Sequence, residues 1–345
     1  MAKINVRSPY FVNLSTVNLT SAKLEIVIYL GGANAVWIGS PQYTLEGTAI
    51  DAKISFEISE LIKDYILALY TDASDYYTTI YVDYQVTESI SSVPQSPTQV
   101  FGLRAFYGYG YFPEGSNPQL DVMTLQSNTT VIKNADATVT IPIDNENITT
   151  FKYKLNSVVV YTYSYVAGLK IQDQIVYVTN ETLGVPYDVD EAVITDGVDT
   201  TTITITEQEE CLYTPYKLTF INKFGAYQEI WFFKNSQLSM RNTQKQYKAN
   251  ILVDGTYRTY DPQVKLLTKN GNESLTLNSD YYPESYNEIF KQLMLSEKVW
   301  IYYESQTLGV TIKTRNIDYQ TVLTEKLINY TIDVEFAYDT INNIR

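Results

Sequence analysis

The residues in this chain whose types and spacing could do chemistry are mostly carboxylates. The run YDVDEAVITDGVD holds Asp188, Asp190, Glu191, Asp196 and Asp199. Calcium takes several oxygen ligands from a flexible loop, and D-x-D followed by D-G offers part of such a set. The order of an EF-hand loop is missing, so Asp188–Asp199 reads better as a solvated hairpin loop than as a structural or adventitious cation site. A second acidic run, EQEE at Glu207–Glu210, reads as a charged strand end or linker. Glycoside hydrolysis needs two carboxyl groups about 5–9.5 Å apart in a cleft, usually with aromatic platforms. Aromatic residues here are spread through every strand, and no local motif sets them beside acids. GYGYFPEG has the glycines but not the G-x-x-x-x-G-K-[ST] order of a phosphate loop, and no βαβ unit surrounds it. The basic stretch MRNTQKQYK, with Arg241, Lys245 and Lys248, is mixed with amides. It reads as a solvated strand or hairpin that could touch a partner's acidic surface.

Composition removes most of the remaining chemistry. The chain has no histidine, which excludes Ser-His-Asp and Cys-His catalysis and His-ligated zinc. The single cysteine, Cys211, allows no intrachain disulfide and no thiolate cluster, and is expected to behave as a small apolar side chain. A formal net charge of -14 argues against wrapping nucleic acid or docking on anionic lipid. The N-terminal MAKINVRSPYFVNLST lacks the apolar core of a signal peptide, and no run approaches the ~18–20 apolar residues of a membrane span. The expectation is a chain made in a cytoplasm and not inserted in a membrane. No residue is assigned as catalytic, cofactor-binding or metal-ligating, and no cofactor is expected. So empty an inventory in 345 residues favours structural or binding work over catalysis.

The elements that would position these groups are mainly β. Short runs such as LEIVIYL, TTIYVDYQVTES, TTFKYKL and DTTTITITEQ carry the β-branched and aromatic residues, in places alternating, that suit strands. Two segments break the pattern. Ile58, Leu61, Ile62, Tyr65, Ile66 and Leu69 recur at helical spacing, which predicts an amphipathic helix over about 57–70. Tyr286, Ile289, Phe290, Leu293 and Met294 do the same over about 285–296, with an S-x-x-E capping box at Ser285 and Glu288. SISSVPQSPTQ reads as a Ser/Pro loop. The texture divides the chain into three: 1–120, β-rich with one helix; 121–212, an antiparallel β-sandwich with no helical period; and 213–345, β-rich with the second helix. The outer sections share an order of parts, as a divergent duplication around an inserted sandwich would. The 32 tyrosines against 12 phenylalanines suit half-buried strands and subunit contacts.

Several stretches carry a resemblance. YKLTFINKFGAYQEIWFFKNSQLS, ESYNEIFKQLMLSEKVWI and KLINYTIDVEFAYDTINNIR, together with INVRSPYFV and FEISELIKDYI near the start, resemble virion proteins in the tail modules of short-tailed crAss-like bacteriophages. The resemblance covers about two thirds of the chain, and nothing in the middle section adds to it. Its motifs are hydrophobic and bring no catalytic residue. It implies a structural tail subunit, a hub or head–tail connector ring. The implied partners are further copies of the same chain (three, six or twelve), other tail proteins, and genomic DNA that passes without specific binding. It also implies residence in the virion after synthesis in a bacterial host. In such proteins sheets backed by a helix join around an axis and so remove free edges. The rival reading is a receptor- or glycan-binding adhesion module on the virion, which would expose tyrosine and tryptophan in a concave groove.

The second helix allows a direct test. Ile289→Asp or Leu293→Asp would put an unpaired charge in an apolar contact, at a cost of about 4 kcal/mol. The expected outcome is loss of soluble protein on expression. Wild-type yield and denaturation midpoint would mean the helix buries no such face.

Overall fold

The computed structural model describes residues 3–30, 36–37, 40–69, 80–119, 122–135, 137–144, 148–164, 175–180, 184–186, 188–316 and 327–341. The fold is mainly β. The end of the expected first helix, at residue 70, lies outside the described residues. The chain divides into two compact units. Unit 1 comprises Met1–Glu209, Thr219–Ile230 and Glu288–Ser296; unit 2 comprises Glu210–Leu218, Trp231–Asn287 and Glu297–Arg345.

Unit 1 begins with a sheet in the order Lys3–Asn5, Thr98–Phe106, Ile80–Ile90, Leu19–Leu30, Tyr43–Thr48. Its first pair is parallel, with Lys3 opposite Arg104, and the others are antiparallel. The three-residue edge strand is held from its open side by amides rather than by another strand. Gln119 exchanges bonds of 2.7 Å with the Lys3 N–H and carbonyl, and Asn117 bonds the Asn5 N–H at 3.0 Å and its carbonyl at 2.9 Å. Those groups are thereby satisfied on the open edge. A second ribbon pairs Phe11–Ser15 with Lys53–Glu57. Helix α1, Ser59–Leu69, follows at once, and Glu57 accepts the Ser59 N–H at 2.9 Å as it starts. Ile58, Ile62 and Ile66 are buried and Asp64 is exposed, as the helical spacing requires.

SISSVPQSPTQ is a loop only at Gln95–Pro97. Ser91 and Ser92 both take positive φ in a two-residue turn that returns Ile90 directly onto Val93. Asn156–Ser157 and Glu304–Ser305 do the same between strands. Glycine usually fills such turns. Here polar residues carry the left-handed conformation, which hides the hairpins from a search for Asn-Gly.

The middle of unit 1 has a five-stranded sheet in the order Val158–Ser164, Thr150–Leu155, Glu191–Thr195, Thr200–Gln208, Thr130–Asn134, and a two-stranded sheet of Thr140–Asp144 with Ile175–Thr179. Both feed one apolar core: Phe151, Ile194 and Ile203 from the larger sheet, and Ile141, Ile143 and Val178 from the smaller. The expectation of an antiparallel arrangement holds for every pair but one. Thr200–Gln208 and Thr130–Asn134 run parallel, and Lys133 is buried against Glu207 at their register. Tyr153 lies edge-on to Phe151 at 4.8 Å and donates its hydroxyl to the Val178 carbonyl at 3.1 Å, and burial pushes that phenol well above its usual pKa.

One buried ionic group ties unit 1 together. Asp144, at the end of the small sheet, is 1% exposed. Its Oδ2 accepts from Lys3 Nζ at 2.7 Å and its Oδ1 from Arg104 Nη1 at 3.3 Å. The two cations are cross-strand neighbours in the first sheet.

Unit 2 centres on a sheet in the order Tyr227–Phe232, Tyr216–Ile221, Val299–Tyr303, Gln306–Ile312, Leu327–Phe336, Val264–Pro283, Gln237–Lys248. The unit boundary passes through the first two of these strands. Tyr216 stacks on Tyr303, which meets Phe336 edge-on at 5.3 Å. Helix α2, Asn287–Leu295, follows a 3-10 turn at Glu284–Tyr286. Ile289, Phe290 and Leu293 are buried, as the periodicity requires. The expected capping box is not formed: the turn starts at Pro283 without a side-chain cap, and Glu288 bonds elsewhere. Residues Glu288–Leu295 of this helix belong to unit 1.

Removing Asp144 leaves two buried cations without that acceptor. Asp144→Ala is expected to destabilise unit 1 by about 3–5 kcal/mol, the usual cost of breaking a buried pair. Urea denaturation followed by circular dichroism measures it, and a loss below about 1 kcal/mol would place the group among ordinary surface pairs.

Candidate assembly surface

The acidic run does not form one site. Asp190 Oδ2 accepts the Asn156 N–H at 2.7 Å, and Glu191 pairs with Lys154 at 3.1 Å, so both support strand ends. Asp188 is exposed. Asp196 and Asp199 flank the turn between Glu191–Thr195 and Thr200–Gln208. Asp196 Oδ1 accepts the N–H groups of Val198 and Asp199, both at 2.7 Å, and these bonds hold its carboxyl below the usual range. Among the described residues, no group of three or more carboxylates or thiols is placed to hold a metal ion. The two aspartates open instead onto a pocket of about 560 Å³, with Val122, Met123, Gln126 and Phe224 among its walls. Among the described residues no tyrosine or tryptophan lines it.

The EQEE run straddles the boundary between the units, which falls between Glu209 and Glu210. Glu210 bonds Lys234 at 2.9 Å, and that bond holds its carboxyl low. Cys211 is exposed rather than buried as a small apolar side chain.

GYGYFPEG forms a dense polar contact inside unit 1. Tyr111 donates its hydroxyl to Glu288 Oε1 at 2.6 Å, and Gln292 Nε2 donates to the same oxygen at 2.8 Å. Lys291 and Lys223 lie over the Tyr111 ring, at 3.5 and 4.5 Å from its centre. Lys223 also bonds Glu114, and Arg7 sits 4.8 Å over the Tyr109 ring and donates to the Leu295 carbonyl at 2.8 Å. Burial pushes Tyr111 far above the usual phenol pKa, the bond to Glu288 adding to it, and burial pushes Tyr109 up to about 12. Two glycines permit this approach. A Cβ on Gly108 would lie 2.6 Å from the Lys223 carbonyl oxygen, and one on Gly225, whose φ is +79°, would lie 2.8 Å from the Tyr107 nitrogen. Most of its polar groups bond one another, which makes it a structural joint. Sequence spacing hid it because Tyr111, Lys223 and Glu288 are remote along the chain.

The basic stretch is fully exposed. Gln237–Lys248 pairs antiparallel with Val264–Thr276, with a register shift between Lys245 and Gln246, and every one of its twelve residues is exposed. On its other edge the partner strand pairs with Leu327–Phe336 from Ser274 onward, and the Thr340 N–H bonds the Gly271 carbonyl at 2.8 Å. Asn270 and Asn272 are braced by Asp339 at 2.9 and 3.1 Å. Beyond that point residues 243–248 and 264–269 form a free two-stranded ribbon roughly 20 Å long at ~3.3 Å per residue. Its tip is internally bonded. Asp254 and Gly255 make a positive-φ turn closed by Val253–Thr256 bonds of 2.8 and 3.1 Å. Arg258 Nη1 donates to the Tyr260 hydroxyl at 2.8 Å. Leu252, Val253, Tyr257 and Tyr260 are exposed, the last at 72%. A lone hairpin is marginal in water, and this one leaves apolar side chains unburied.

A second open feature is the edge strand Val158–Ser164, VVVYTYS, which is uncharged and mostly exposed. No family model matches the chain, and no curated protein and no solved structure matches it significantly. Among the described residues no helix is long and apolar enough to cross a membrane.

The raised phenols make the joint sensitive to base. A buried tyrosine whose folded pKa exceeds its unfolded value contributes stability below pH 10 that is lost as pH rises toward 12. Stability is therefore expected to fall between those values, and less steeply in Tyr109→Phe. Denaturation midpoints measured against pH, with tyrosinate absorbance, check this; equal slopes in both proteins would remove Tyr109 from the joint.

Proposed function

We propose that this chain is a structural, non-enzymatic subunit of a symmetric oligomer: a hub or connector ring in the tail of a short-tailed bacteriophage, forming part of the channel for DNA ejection. The observation that carries the oligomeric part is the projecting ribbon of residues 243–248 and 264–269, exposed on both faces and tipped with aromatic and aliphatic side chains. Surface of that kind serves contact between chains. The phage setting rests on the resemblance of the sequence segments given above. In this reading the two helices back sheets that join around an axis, and the chain works without a cofactor. The net charge of -14 suits a channel wall along which DNA slides without being gripped. An adhesion module would offer sugar platforms in a groove, and the described residues that line the acidic pocket include no tyrosine or tryptophan.

The test is the native mass of the purified protein, with averaged images of the particle. A closed multiple of the 39.4 kDa chain, of three, six or twelve copies around a central hole, is the expected result. A stable monomer that binds host surface glycan would overturn it in favour of the adhesion module.

A further inference from the structure

We propose that the tip of the basic hairpin, Arg258 together with Tyr260, seats in the pocket beside Asp196 and Asp199 of a neighbouring copy of this chain. The inference rests on the oligomeric reading above and names the contact that reading lacks.

Charge is the first argument. Residues 237–270 carry six cations (Arg241, Lys245, Lys248, Arg258, Lys265 and Lys269) against two carboxylates (Asp254 and Asp261), a formal +4; with -14 on the whole chain, the remainder carries -18. An arm of this sign is drawn to the body of another copy and turned away from the arm of another copy. Complementary charge of this kind steers encounter and fixes register.

Shape and chemistry are the second argument. The Arg258 guanidinium lies 5.9 Å from the Tyr260 ring centre, and their 2.8 Å bond holds both side chains as one unit. The Asp261 N–H donates to the Arg258 carbonyl at 3.1 Å, and the Ala249 N–H to the Gln263 carbonyl at 2.8 Å, so the backbone beneath them is already folded. Little ordering is left for binding to supply. The receptor has matching parts. Its volume of about 560 Å³ is that of a site for a small group. Met123, Val122 and Phe224 offer apolar walls to a tyrosine ring, and Asp196 and Asp199 offer carboxylate oxygens to a planar guanidinium. Arginine and tyrosine are also the residues that most often carry binding energy at the centre of an interface.

Symmetry is the third argument. Tip and pocket are different patches on the same chain, so the contact is head-to-tail. Each copy gives one tip and receives another, and such a contact closes into a ring when the rotation between copies permits.

The experiment uses the full-length chain with Cys211→Ser, because the native thiol is exposed. Protein carrying Arg258→Cys is mixed with protein carrying Asp199→Cys and mildly oxidised. The expected product is a disulfide-linked pair of one chain of each kind. In parallel, Arg258→Glu is expected to weaken assembly at least about tenfold in sedimentation, and Asp199→Arg in the same chain is expected to restore part of the loss. Circular dichroism confirms that each variant folds, and these positions lie outside the core. Rings that form in the parent protein, with no mixed disulfide and no weakening by Arg258→Glu, would overturn the tip contact and leave the oligomer standing. A parent that stays monomeric at every concentration would overturn both. Disulfide-linked pairs made only of two identical variants would overturn the contact between tip and pocket.

Discussion

A carboxylate removed from water must be met by cations, and Asp144 meets two. Lys3 and Arg104 stand opposite each other on neighbouring parallel strands, so a single register brings both to one oxygen pair. Slipping that register by one residue would turn the side chains to the other face and leave the charges buried apart. The group is therefore a constraint on alignment before it is a source of stability. Desolvation offsets much of the Coulomb gain in such a cluster, whereas the penalty for misplacing one member remains large. The three-residue edge strand that supplies Lys3 is too short to align itself. It relies on this carboxylate on one side and on Asn117 and Gln119 on the other.

The parts of the fold that were legible in the sequence are those set by local period. Ile58, Ile62 and Ile66 in one helix and Ile289, Phe290 and Leu293 in the other are buried where helical spacing puts them. What was not legible depends on partners remote in the chain. Charged side chains are usually exposed, so nothing local marks Lys3, Arg104 or Asp144 for burial. Glu288 looked like a cap for its own helix. Its carboxylate is instead taken by Tyr111, which the chain delivers from the far side of the sequence. The tight turns at Ser91–Ser92 and Asn156–Ser157 went unread because polar residues occupy the left-handed conformation there. The acidic run looked like one cluster, yet backbone N–H groups and lysine claim most of its members, and only Asp196 and Asp199 open onto a pocket. The basic stretch has no alternation because neither face of its ribbon is buried, so the period-2 signal that reveals strands is absent there.

Polar satisfaction is unevenly distributed in this chain. Tyr111, Gln292 and Glu288 bond one another, and glycines let backbone meet backbone, although the buried Tyr109 hydroxyl beside them has no hydrogen-bond partner among the described residues. At the hairpin and along Val158–Ser164 the ribbon edges and apolar side chains face outward instead. Interiors that are fully paired resist rearrangement, while open edges and exposed apolar residues seek partners. The contrast separates a rigid body from the surfaces through which it would meet its neighbours.

Unit 1 is assembled from three stretches of chain, the last of them Glu288–Ser296. A ribosome releases the chain from its N-terminus, so the strands of this unit emerge well before the helix that covers part of them. Until residue Ser296 has cleared the exit tunnel, Tyr111 has no Glu288 to bond and Lys223 no Gln292. Folding of the larger unit therefore waits for residues as late as Ser296, and contacts of such long sequence separation close slowly. A chain stopped before Glu288 would leave the Tyr111 joint open to proteases and chaperones.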